Sequence, residues 1–244
     1  LSDRNALRTP AALLLGGFIT YVVVTFLHTG GPANDHKVIF DDYAGSRDWA
    51  AVHLGQFIGM ATIVAGLVAL HVALDIRAGT AAWLARFGAI AAGIALGLYG
   101  VLQAVDGVAL KQAVDAWVGA PAADKAARFA TAETVRWLEW GSRSYQCFTL
   151  GLALILLGTA VTLSKRLPKT IGLLMGLSGA SYLAQGWVLG SHGFDDDNSV
   201  AILVSYALML TWTTWLAVVA WRRRRIQTDS ATLPDASADA PAGR

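Results

Sequence analysis

Apolar residues in this chain gather in six blocks, at residues 11–27, 52–73, 87–105, 145–163, 171–189 and 200–219. About 20 apolar residues at 1.5 Å each span a hydrocarbon core of roughly 30 Å. The pattern predicts an all-α polytopic membrane helix bundle with six transmembrane helices. Two blocks run on past their spans. The third continues through Val108, Leu110, Val114 and Val118, and the fourth is preceded by Val135, Trp137, Leu138 and Trp140. Each extension adds about ten residues, or roughly 15 Å of helix. Helices 3 and 4 are therefore expected to extend into an outer cap formed by 30–48, 106–144 and 191–198. Residues 30–48 read as a polar loop, longer than most connections and so a candidate functional segment. The expected organisation is one six-helix transmembrane domain over 1–225 and a disordered cytoplasmic tail over 226–244, rich in Ala, Asp, Pro and Ser.

Composition supports this class. Of 244 residues 55% are hydrophobic and only 15% charged, against about 25% charged in soluble domains. The single cysteine, Cys147, excludes an intrachain disulfide and a zinc knuckle. Charge then sets orientation. With both ends on one side, that side holds twelve Lys and Arg, including Arg222 to Arg225, against seven on the other. The positive-inside rule makes the topology N-in/C-in. The first block exceeds the h-region of a cleaved signal peptide and its Gly30-Gly31-Pro32 exit lacks an Ala-x-Ala cleavage pattern, so it reads as a retained anchor. The arginine run abuts a span and reads as an anchor to anionic lipid, which argues for membrane lipids and against nucleic acid as a partner.

Polar groups near the outer face carry the candidate chemistry, because lipid cannot satisfy them. His28, His53 and His192 fall at outer helix ends, with His36 in the loop between the first two blocks. Imidazole is the commonest transition-metal ligand. His28, His53 and His192 with a neighbouring acid are candidate ligands for zinc, copper or iron. No His-Glu-x-x-His or Cys-x-x-Cys motif supports them. His53 and His71 lie 18 residues apart, about 27 Å along a helix, which argues against paired haem ligands. Gln56, Gln103, Gln146 and Gln185 occupy the outer parts of four spans, three of them three residues from His53, Asp106 or Arg143. Together they predict an outward-opening polar cavity, with the alternative that the amides simply bond helix to helix. Glu139 and Arg143, at i and i+4, suit a salt bridge. Trp137 and Trp140 read as interfacial belt residues or as cavity walls.

The segment Leu167-Pro168-Lys169-Thr170-Ile171-Gly172-Leu173-Leu174, with Gly179 and Tyr182-Leu183 beyond it, resembles a stretch in uncharacterised bacterial multi-helix inner-membrane proteins. The resemblance implies a bacterial cytoplasmic membrane and transfers no catalytic residue. Three functions compete. The first is a binding or accessory protein, serving other membrane subunits, whose cavity holds a metal, lipid head group or quinone-like ligand. The second is an intramembrane enzyme acting on a lipid or isoprenoid, with Asp106 and Glu139 as catalytic acid or base. The third is a small solute or proton transporter, against which the apolar inner halves of the helices weigh.

Overall fold

Backbone amides in hydrocarbon have no water to bond, so apolar blocks of this length close their hydrogen bonds internally as helices. The computed structural model describes residues 5–222. The expected tail at 226–244 and most of the arginine run lie outside the described residues. Eight α-helices are described: α1 (Arg8–Phe26), α2 (His36–Gly45), α3 (Trp49–Leu74), α4 (Gly79–Ala104), α5 (Lys111–Val118), α6 (Lys125–Ser164), α7 (Lys169–His192) and α8 (Asp196–Trp221). A π-helical turn, Val105–Leu110, joins α4 to α5 without a break. No strand occurs among the described residues. Local chemistry sets several boundaries. The Asp35 carboxylate accepts from Val38 N–H at 3.2 Å to start α2, and the Asp195 carboxylate accepts from Asn198 N–H at 3.1 Å to start α8.

Among the described residues five helical runs are long and apolar enough to cross a membrane: Arg8–Phe26, Trp49–Leu74, Gly79–Val118, Lys125–Ser164 and Asp197–Trp221. The bundle is of the membrane-embedded kind. Ile58, Val72, Phe87, Ile90, Ile94, Leu173, Leu177 and Leu203 are exposed on its flanks, a surface suited to lipid and not to water. The sixth expected span, 171–189, is helical as α7 but falls short in apolarity. Its sequence is rich in glycine and serine, which let it press its backbone against α6. A Cβ on Gly158 would stand 2.5 Å from Gly172 O, and one on Gly179 would stand 2.5 Å from Gly151 O. Such close approach is how membrane helices pack without a hydrophobic driving force.

The long helices form a closed ring, α1–α3–α4–α6–α7–α8, with α8 packing back onto α1. One core cluster fills the ring with Leu14, Leu67, Leu70, Ala92, Leu154, Leu157 and Trp212 among its buried members. A second cluster lies at one end, where Ile39, Phe40 and Tyr43 of α2 meet Trp49, Leu110, Val114, Trp117 and Ala132. The polar loop expected over 30–48 therefore contains a helix. Its apolar positions 39, 40 and 43 share one face, and Asp41 and Asp42 on the other face masked the pattern.

Candidate functional site

The π turn organises the site. An i→i+5 turn inserts one extra residue into a helix and redirects the side chains after it, and such turns are frequent at functional sites. Here it carries Asp106 and Gly107, both buried against α3. The Trp49 indole N–H donates to Asp106 O at 3.2 Å, satisfying a carbonyl in the distorted turn. Gly107 is needed for the close approach, since a Cβ there would stand 2.9 Å from His53 Cβ and 3.1 Å from Cγ. Gly107→Ala is expected to cost about 1–3 kcal/mol by overpacking and to displace the His53 ring. Thermal unfolding of the detergent-solubilised protein measures that loss.

Two imidazoles and a carboxylate converge beside this turn. His53 Nδ1 lies 2.7 Å from Trp49 O, and His28 Nδ1 lies 2.8 Å from Thr29 O. A carbonyl only accepts, so each Nδ1 carries a proton, and in the neutral ring the lone pair then falls on Nε2. His53 Nε2 stands 3.0 Å from Asp106 Oδ2, within ion-pair distance, and Asp106 Oδ1 is buried with no hydrogen-bond partner. One ligand-type atom from each of His28, His53 and Asp106 lies within 4.8 Å of the other two. Burial lowers the pKa of His28 below the ordinary imidazole value, opposing the pull of the Asp106 carboxylate. That direction favours the neutral ring, the form that binds metals.

Asp106 and His28 form part of the wall of a cavity of about 370 Å³ at this end of the ring, together with residues of α1, α2, α3, α4, α6 and α8. On its α6 wall Glu139 pairs with Arg136, both almost fully buried. This corrects the expected Glu139–Arg143 bridge. Arg136 also donates to Ala33 O at 3.2 Å and stacks over Phe194 at 4.8 Å and Tyr43 at 5.6 Å. Arg143 turns the other way. It donates to Tyr21 Oη at 3.0 Å and lies 5.8 Å over the Tyr99 ring.

The glutamines divide between two places. Gln56 and Gln103 line the cavity, Gln56 donating to Thr25 Oγ1 at 3.4 Å and Gln103 Oε1 lacking a partner. Gln146 and Gln185 instead flank the Cys147 thiol, which donates to their Oε1 atoms at 3.6 and 3.5 Å. The contact with Gln185 links α6 to α7, and that with Gln146 stays within α6. His192 is exposed at the end of α7, beside Ser191, and does not join His28 and His53. Trp137 is exposed. Trp140 lies behind the site, edge-on to His36 and Phe194. Sequence reasoning missed Tyr21, Tyr99 and Tyr206, three cavity-lining phenols of which Tyr21 meets the other two edge-on. Their only signal was a polar tip in an otherwise apolar block.

A family model described as a domain of unknown function, DUF4386, matches residues 9–220. No curated protein and no solved structure matches the chain. The match covers nearly all of the ring and agrees with the resemblance to uncharacterised membrane proteins carried by residues 167–183: the chain belongs to the DUF4386 family.

Proposed function

We propose that this is a six-span protein of the bacterial cytoplasmic membrane, N-in/C-in, that binds a divalent transition-metal ion through His28, His53 and Asp106 at one side of an outward-facing cavity. The single observation that carries this reading is the set of two imidazoles, each with Nδ1–H tied to a carbonyl, beside a buried carboxylate with an unpartnered oxygen. Tying Nδ1 to a carbonyl is the usual way a metal-ligating histidine is oriented. Around a zinc ion bound at about 2.0–2.2 Å, neighbouring ligand atoms lie roughly 3.0–3.5 Å apart. The Nε2–Oδ2 separation of 3.0 Å fits that spacing. Three protein ligands leave a fourth position open toward the cavity.

The even number of long helices in the ring supports six spans. The end of α6 bonds to the end of α3 through Arg166 and Asp75 O, while the end of α7 bonds to the α1–α2 segment through Asn34 and His192 O. The helix α7 therefore runs from one end of the bundle to the other, and an even ring returns both termini to the basic side. The cap over the cavity comprises 30–48, 106–144 and 191–198, and the surrounding partners are membrane lipids. Binding is favoured over catalysis because Glu139 is already paired with Arg136 and no catalytic motif accompanies the site. Transport is disfavoured because the core below the cavity is closed by leucine and alanine.

Elemental mass spectrometry of the full chain, purified in neutral detergent and equilibrated with zinc or iron(II), tests the reading. About one equivalent of metal is expected, unchanged in His192→Ala. Metal-free protein after equilibration, or loss of metal in His192→Ala, overturns it.

A further inference from the structure

Arg143 is a buried-side cation without a counter-charge. Among the described residues no carboxylate lies within ion-pair reach of it, whereas Arg136 on the same helix has Glu139. The groups that face it are the Tyr21, Tyr99 and Tyr206 phenols and the Cys147 thiol. It sits 21 residues from the end of α6, about 32 Å along the axis, at the outer edge of a hydrocarbon core. A guanidinium there is costly unless an anion joins it.

The surroundings describe that anion. Tyr21 Oη accepts from Arg143, which leaves its own hydrogen to donate. The Gln103 amide also faces the cavity. A guanidinium fork with further neutral donors suits a group with several oxygens, and arginine is the usual partner of phosphate. Beyond these groups the wall turns apolar and open. Phe26 of α1 and Leu203 of α8 line the same cavity yet are 79% and 66% exposed, so it opens sideways between α1 and α8 towards lipid. We propose that Arg143 seats the phosphate group of an anionic amphiphile whose hydrocarbon tail leaves the cavity between Phe26 and Leu203. This inference stands apart from the metal reading, because no proposed metal ligand contributes to it.

The test uses the full chain in neutral detergent after treatment with EDTA, so that its outcome does not depend on metal. Native mass spectrometry follows retention of dioleoyl phosphatidic acid against dioleoyl phosphatidylcholine. One phosphatidic acid is expected to stay bound, at least tenfold in preference to the neutral lipid. Retention falls at least tenfold in Arg143→Gln, stays within about threefold in Arg143→Lys, and is unchanged when exposed Arg128 becomes Gln. Equal retention of both lipids by the wild type overturns the proposal, whether or not the Arg143 variants fold. Equal retention by a folded Arg143→Gln variant overturns it as well. Displacement by millimolar inorganic phosphate would assign the seat to free phosphate and overturn the amphiphile; persistence of the lipid supports it.

Discussion

Asp106→Asn is expected to abolish metal retention while leaving the helix content unchanged. The carboxylate is the only anion among the three proposed ligands, and its Oδ2 lies 3.0 Å from His53 Nε2. An amide in its place keeps the shape but loses the negative charge that offsets a divalent ion. Loss of an outer partner of a metal ligand typically costs 10–100-fold in affinity, so loss of a ligand should exceed roughly 100-fold. His53→Ala should match it, because the same ion loses an imidazole. Competition with a chromophoric chelator measures both affinities, and circular dichroism checks the fold. Metal affinity within tenfold of wild type in Asp106→Asn would remove the ion from this position.

The second large effect concerns stability. Arg136→Met should destabilise the protein by about 3–5 kcal/mol, because it strands the buried Glu139 carboxylate without its cation. Both side chains are almost fully buried, so water cannot replace the lost partner. Arg136→Met combined with Glu139→Leu should recover most of that loss, since paired removal of a buried ion pair is often neutral. Arg143→Met with intact Arg136 should not behave this way, as it leaves no carboxylate behind. Unfolding in a graded denaturing detergent compares the variants. A single Arg136→Met variant as stable as the double variant would mean that the pair is solvated.

The site was partly legible beforehand. Lipid cannot satisfy imidazoles, amides and carboxylates, so the outer polar residues stood out as a set, and His28, His53, Asp106, Gln56 and Gln103 came from it. The partition within the set was not legible. Gln146 and Gln185 have the same residue type and depth as Gln56 and Gln103, yet they lie at the α6–α7 contact around Cys147. His192 was grouped with His53 by depth alone, and depth does not say on which side of a ring a helix end emerges. Glu139 had partners available at i−3 and i+4, and helical spacing favours neither. Burial beside Tyr43 and Phe194 chose Arg136.

By itself the sequence determined the class of the protein and the depth of its polar groups. Apolar blocks of bilayer length permit only helices, because every backbone amide must be satisfied within its own segment. What only the tertiary structure decided was convergence. The order of helices around the ring, the π turn that presents Asp106, and the close approach allowed by Gly107 depend on contacts between residues far apart in the chain. A helix reads out its own faces in sequence, but the neighbour that each face meets is set by packing with other helices.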